Sequence, residues 1–436
     1  MSTTENRGQF GSKLGFILSA AGSAVGLGNI WKFPGKAYNC GGGAFLLVYI
    51  IMVALIGTTV MMAEFTVGRN AHKNALGSFR AISQKWGFAG GLGVLTGFII
   101  LCYYCQVGGW TMKYIYAYIA EAKMVYADPT AYFLGMLGAN GFPLQGAVIF
   151  PLIFLFLTAF ILSHGTAGIE KMSKVLMPLL FVLLIGLMIR SCTLPGADVG
   201  LKYMLNVDFS TINSNAILVA LGQAFFSLSL GMGIMVTYAS YLSDEDNLIS
   251  NTGIVCVLDT LVALFAGFMI IPAVFATGID PRWAAASHSQ HWQAYLKQSR
   301  RTLFGLLFYF LLFFAAVTSS TSIMEGTIAF LIEEKGLKRN QCTAWYIRCC
   351  IHHRRILHTV SGLHEHQGYL GFQERYRIPH LRRLPGIPDR QTAAASGCIL
   401  YNCIRWLDLG YRQFRRGSYL LWQVQIHPCT CIQIHR

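Results

Sequence analysis

Apolar residues run through the first three quarters of this chain in blocks of membrane length, separated by short polar loops. Eight such blocks can be drawn, at approximately 13–37, 43–68, 89–120, 146–163, 172–191, 214–242, 249–277 and 303–332. Each is near the roughly 20 residues a helix needs to cross a bilayer, so the pattern predicts an all-α integral membrane protein. Two blocks are flawed as helices. The first, within GSKLGFILSAAGSAVGLGNIWKFPGKAYNCGGGAF, is interrupted at Gly26-Leu27-Gly28-Asn29, and the sixth, AILVALGQAFFSLSLGMGIMVTYASYL, carries Ser227, Ser229, Gly231 and Gly233 at its middle. A span gives up its own hydrogen bonds only where the freed groups are buried in protein or satisfied by something else. Corresponding interruptions in two halves of a chain point to a transporter binding site.

Composition agrees with the pattern. Hydrophobic residues make up 54% and charged residues 12% of the 436, against roughly a quarter charged in a soluble protein. The start, MSTTENRGQFGSK, lacks the pattern of a cleaved signal peptide, so the first block is expected to stay and span. Arg69, His72, Lys73, Arg80 and Lys85 between blocks two and three, Lys171 and Lys174 before block five, and Arg7 and Lys13 at the start then place the N-terminus in the cytoplasm. Of the 12 cysteines, those at 102, 105 and 256 lie in apolar runs, where a cysteine is a small hydrophobe, and they indicate no redox compartment.

Several runs carry a resemblance: GSAVGLGNIWKFP, NCGGGAFLLVYI, EFTVGR, the pair Tyr103-Tyr104, GIEKMSKVLMP, QAFFSLSLGMG, TYASYLS and FFAAVTSS, in that order. At these residues the chain resembles the neurotransmitter:sodium symporter family, specifically its bacterial amino-acid transporters, over residues 7–280 and 302–340. The resemblance implies an inverted-repeat transporter fold with helices 1 and 6 broken, of whose usual twelve spans eight are visible here. It also implies sodium-coupled symport of an amino acid by alternating access across the cell membrane, and no enzymatic activity.

Sodium is a hard cation that takes a shell of oxygens, and carbonyls freed at a helix break can supply part of it. The resemblance places one sodium against the carbonyl of Ala24, Asn29, Ser227 and Asp259, with the substrate carboxylate as a further ligand. A second sodium falls among the carbonyls of Gly22, Val25 and Ala315 and the hydroxyls of Thr318 and Ser319. Taken alone, Thr318-Ser319-Ser320 reads as helix packing by small polar residues. Unpaired N–H groups at a half-helix terminus suit an anionic group; Gly26, Leu27 and Gly28 offer them, and Tyr104 is the expected hydroxyl donor to the same carboxylate. Ala24, Ser227 and Ser319 border that position, and Ile100, Phe226, Ser229, Met232 and Ile323 line the side-chain pocket, favouring an apolar or aromatic amino acid.

Asp259 is an acid inside span seven, and such carboxylates are functional by default. Chloride-dependent relatives bind their anion near positions resembling Tyr49, Gln223 and Ser227; a fixed carboxylate at 259 would make chloride unnecessary. Glu64 is expected to be structural and paired with Arg69. Lys32 resembles an outer-gate cation, and Arg7 with Glu333 resembles an inner-gate ion pair, with Phe10 beside it. Gly168 and Pro178 stand ten positions apart, a spacing with which the family unwinds the inner end of helix five.

Two segments depart from this pattern. Residues 281–301 read as a non-family loop, and from 341 to 436 the chain turns rich in arginine, histidine and cysteine, with 13 arginines against four acids. Two reading-frame disturbances are the expectation, one compensated and one running to the end. The rival readings are a basic tail on anionic lipid or phosphate and a metal site at Cys349, Cys350, His352 and His353. The expected partners are an amino acid, two sodium ions, the bilayer and a second copy of the chain as a homodimer, with no nucleic acid. A non-transporting remnant of a symporter is the alternative.

Overall fold

A computed structural model describes residues 8–137, 144–276 and 301–349. Arg7, residues 281–300 and the tail beyond 349, with Cys350, His352 and His353, lie outside them. The chain divides into two compact units, Met1–Leu357 and His358–Arg436, and all described residues belong to the first.

Among the described residues every regular element is helical. The first block folds as α1 (Lys13–Ala24), a π-helical stretch Gly28–Lys32 and α2 (Phe33–Asn39), bent by 43° at the break. The second is α3 (Gly43–Met52) and α4 (Thr58–Ala71), joined by a π-helical Val53–Gly57. After α5 (Ala75–Ile82), the third block is the 34-residue α6 (Gly87–Ala120). Two small helices, α7 (Ala122–Ala127) and α8 (Pro129–Leu137), lead to a π-helical Leu144–Ile149 that extends α9 (Phe150–Ser163). Then come α10 (Gly165–Cys192), α11 (Ala197–Leu205), α12 (Ser214–Ser227), α13 (Ile234–Ala239), α14 (Leu248–Ala276) and α15 (Arg301–Lys335). Among the described residues five helices are long and apolar enough to cross a membrane, six with the bent pair, and α9 and α12 are shorter apolar helices. These two short helices fall in the fourth and sixth expected blocks.

The structure lengthens one prediction with a clear cause. The apolar reading starts span five at 172, yet α10 begins at Gly165, because Glu170 is partnered and buried rather than exposed to lipid. The outer face of α10 is apolar, with Val175, Leu179, Val182 and Ile189 exposed at helical spacing. Such a surface suits lipid.

Inside, α6 lies along α15, α14 packs on α10 and α11, and α13 packs on α4. The broken helix α1 runs among α10, α14 and α15, so its interruption is walled by three other spans. A further helix, residues 339–349, crosses the expected boundary at 340. Its Cys342, Trp345 and Tyr346 form a buried stripe, and the Tyr346 hydroxyl donates to the Phe98 carbonyl of α6 at 3.3 Å.

One end of α6 is clamped by charge. Lys113 Nζ lies 2.8 Å from Glu121 and 2.6 Å from Gln145 Oε1, and the Tyr132 hydroxyl donates to Glu121 at 2.6 Å. Burial pushes the Glu121 carboxyl up, but the hydrogen bonds from Lys113 and Tyr132 and the ammonium charge outweigh it and hold it below its ordinary value.

Candidate functional site

Breaking a helix frees backbone groups, and each must find a partner. At the first break, the Gly26 N–H donates to Asn29 Oδ1 at 3.3 Å and the Leu27 N–H to the Tyr104 hydroxyl at 3.2 Å. The Gly28 carbonyl accepts from Gln223 Nε2 at 3.0 Å, and the Ser23 carbonyl from the Ser229 hydroxyl at 3.0 Å. The second break, Leu228–Gly233, contains three residues in the left-handed region: Ser229 at φ 55°, Gly231 at 78° and Gly233 at 69°. Glu64 Oε1 receives the Gly231 N–H at 2.7 Å. This corrects the expected pairing of Glu64 with Arg69. Arg69 instead donates to the Asp246 carbonyl at 2.6 Å, because the carboxylate lies against the unwound strand of span six.

Between the two breaks the structure gathers a fully buried polar cluster. Asn29 Nδ2 donates to Asp259 Oδ1 at 2.7 Å and to the Asp259 carbonyl at 3.1 Å. The Ser227 hydroxyl donates to the Asp259 carboxylate, 2.9 and 2.8 Å from its two oxygens. The Tyr49 hydroxyl lies 3.3 Å from both Asp259 Oδ2 and Ser227 Oγ. One carboxylate thus ties both broken spans to α14. The donor set is oxygen and amide with a single negative charge, which fits a hard monovalent cation.

A second group of oxygens sits at the C-terminal end of α1. The Ser319 hydroxyl of α15 is 3.4 Å from each of the carbonyls of Gly22, Ser23 and Val25, and the Thr318 hydroxyl donates to the Ala315 carbonyl at 3.2 Å. These groups are buried and neutral. The approach is tight at Gly26, where a Cβ would stand 2.5 Å from Ser319 Oγ and 3.0 Å from the Tyr104 hydroxyl.

The expected substrate-pocket residues surround this line. A Cβ on Gly28 would be 2.8 Å from the Phe226 ring, and one on Gly97 would be 3.7 Å from Ile323 Cγ2. Gly93 of α6 lies against the Met232 backbone, where a Cβ would come within 3.1 Å of its carbonyl carbon. Ile100 and Tyr104 follow on the same face of α6 at helical spacing. Lys32, the expected outer-gate cation, stands over the Phe226 ring, 4.2 Å from its centroid, in a cation–π contact.

At the opposite end lies a cleft of about 1220 Å³ lined by His72, Lys73, Arg80, Glu333, Glu334 and Arg339. Glu333 accepts the Asn74 N–H at 2.7 Å and its side-chain amide at 2.8 Å. Its expected partner Arg7 lies outside the described residues. Sequence reasoning missed a stronger pair there: Glu325, fully buried in α15, takes Arg339 through both nitrogens at 2.6 and 3.0 Å and the Tyr241 hydroxyl at 2.7 Å. An acid inside span eight was the available signal, by the rule that singled out Asp259. Among the described residues no group of three or more His, Cys, Asp and Glu gathers as a metal site.

Comparison with known proteins follows the same residues. The chain matches the model of the Sodium:neurotransmitter symporter family over residues 7–129 and 123–365, a range that continues through 281–301 and past 340. It is 38% identical over 339 residues to the sodium-dependent transporter YhdH of Bacillus subtilis, covering 76% of this chain and 74% of that one. A sodium-dependent transporter of Haemophilus influenzae is 35% identical over 355 residues, covering 78% and 77%. The crystal structure of MhsT in complex with L-phenylalanine superposes with a TM-score of 0.75 at 36% identity, covering 91% of this chain and 88% of that one.

Proposed function

Because this chain belongs to the Sodium:neurotransmitter symporter family, we propose that it carries an amino acid inward across the cytoplasmic membrane with two sodium ions, by alternating access. The observation that carries the reading is the Asn29–Ser227–Asp259 cluster, in which one buried carboxylate joins both broken spans. The first sodium is held there with the Ala24 carbonyl and the substrate carboxylate. The second lies among the carbonyls of Gly22, Val25 and Ala315 and the hydroxyls of Thr318 and Ser319.

The substrate carboxylate is received by the N–H groups of Gly26, Leu27 and Gly28, with Tyr104 turning its hydroxyl from Leu27 to the ligand. Ile100, Phe226, Ser229, Met232 and Ile323 enclose the side chain, which favours an apolar or aromatic amino acid. MhsT, solved with L-phenylalanine, supports that choice. The Asp259 charge replaces a bound chloride. The N-terminus lies in the cytoplasm, the charged cleft at Glu333 and Arg339 forms the inner vestibule, and Lys32 over Phe226 closes the outer side.

The test is uptake of radiolabelled phenylalanine, leucine and tryptophan into proteoliposomes of the full chain under an inward sodium gradient. Uptake that collapses with the gradient, and in Asn29→Ala, supports the reading. Sodium-dependent binding without uptake supports a non-transporting remnant instead, and neither activity sinks both.

A further inference from the structure

Two consecutive residues at the start of the short helix α5 touch two separate parts of the molecule. Asn74, its fully buried N-cap, accepts the Gly77 N–H at 3.1 Å through Oδ1, while its Nδ2 donates to Glu333 at 2.8 Å and to Glu334 at 3.3 Å. Its backbone N–H donates to the same Glu333 oxygen at 2.7 Å. Arg80, on the second turn, takes the other oxygen of Glu334 at 3.0 Å. Both acids at the end of α15 therefore grip α5. Ala75 is also fully buried and meets the second break, where a Cβ on Gly233 would stand 2.6 Å from its methyl group. Gly233 is held at φ 69°, so bare backbone rests on Ala75.

One face of α6 shows where this contact lies relative to the pocket. A Cβ on Gly90 would be 2.5 Å from the Ala75 carbonyl oxygen, one on Gly93 3.1 Å from the Met232 carbonyl carbon, and one on Gly97 3.7 Å from Ile323 Cγ2. Ile100 and Tyr104 follow at the same spacing. Contacts three or four residues apart stack along a helix face, each about 5 Å beyond the last. Thus α5 lies one turn below Met232, on the side away from Tyr104. Ala75 packs with Val94 and Val236, and Val67, Phe79 and Phe330 close around them, so spans two, three, six and eight meet α5 in one apolar cluster. In so dense a cluster, a shift of the Met232–Gly233 backbone away from the pocket has to displace Ala75. Asn74 holds Ala75 in place.

We infer that Ala75 and Asn74 are positioning residues that set the floor of the side-chain pocket: Ala75 supports Met232 and Gly233 from below, and Asn74 fixes that support to Glu333. The inference rests on the proposed function in one respect, since Met232 is assigned there to the substrate, and it adds a specificity determinant that lies outside the pocket. It also links two distant features. A change at Glu333, the expected inner-gate acid, reaches the pocket through two adjacent residues.

Competition binding on the full chain in lipid nanodiscs, with leucine and tryptophan displacing radiolabelled phenylalanine in sodium chloride, tests the floor. Ala75→Gly removes one methyl group beneath Gly233 and should shift the tryptophan-to-leucine affinity ratio about fourfold toward tryptophan, the scale of one methylene. Ala75→Val should shift it at least as far toward leucine. Lost stability alone moves neither ratio. Hydrogen–deuterium exchange without substrate tests the tether. Asn74→Asp keeps the cap of α5, since the two residues cap equally well, but sets a third carboxylate against Glu333 and Glu334. Exchange in peptides covering 75–82 and 230–238 should each rise about tenfold, the scale of a hydrogen bond to a charged group. Adding Glu333→Gln supplies an amide donor to the new carboxylate and should return both to within about threefold of wild type. An Ala75→Gly shift toward leucine, or none, would overturn the floor even where Ala75→Val fails to fold. Faster exchange confined to 75–82, or no rescue by Glu333→Gln, would overturn the tether. If the wild type binds none of the three amino acids in sodium, the proposed function fails, and exchange in 230–238 alone decides whether α5 supports the break.

Discussion

The two candidate cation positions share the break in the first span and differ in charge. At one, Asn29, Ser227 and Tyr49 converge on the fully buried carboxylate of Asp259. At the other, the hydroxyls of Ser319 and Thr318 meet carbonyls of α1 and α15 with no acid among them. A buried carboxylate costs several kcal/mol unless a positive charge or strong hydrogen bonds offset it. Three donors offset part of that cost at the first position, which still carries a negative charge that a cation would neutralise, while the second carries none. On the proposed function the two should differ in strength: the charged position should hold its ion more tightly than the neutral one.

Substitutions can break that comparison, beginning with the most severe. Asp259→Ala removes the carboxylate on which Asn29, Ser227 and Tyr49 converge, and sodium-dependent substrate binding should fall by at least about 100-fold, the scale of removing one partner from a buried charged network; scintillation proximity binding would show it. Gly26→Ala drives a methyl group into Ser319 and Tyr104 and should abolish uptake while the purified chain still elutes as a single species on size exclusion. Ser319→Ala removes one neutral ligand and should weaken apparent sodium affinity by roughly tenfold with the substrate affinity at saturating sodium near wild type. Equal losses from Ser319→Ala and Asp259→Ala would erase the distinction between the two positions.

The smallest effect lies far from both. Glu121 is held below its unfolded pKa of about 4.3, so its clamp on Lys113 stabilises the fold above that pH and is lost as pH falls through the depressed folded value. Glu121→Gln should lower stability by less than about 1 kcal/mol at neutral pH and flatten the acid side of the melting profile.

The breaks at Gly26–Asn29 and Ser227–Gly233 were legible in the sequence, because glycines and small polar residues cluster at corresponding places in the first and sixth apolar runs. A helix falls in each of the eight apolar blocks, and five of them, or six with the bent pair, are long and apolar enough to cross a membrane; length and hydropathy depend only on local composition. Partners across the chain did not. Glu64 was assigned to its near neighbour Arg69, whereas the acid reaches Gly231 from a span far along the chain. Glu325 and Arg339 went unnoticed because they lie 14 residues apart on two different helices, and only packing brings them together. The Cys342, Trp345 and Tyr346 stripe was hidden by the basic composition around it.

The measurement that tests the account most directly is equilibrium binding of the transported amino acid in sodium gluconate, sodium chloride and choline chloride. If Asp259 supplies the negative charge of the first position, binding is equal in the two sodium media and absent in choline. Binding that requires chloride, or that persists when choline replaces sodium, would contradict it.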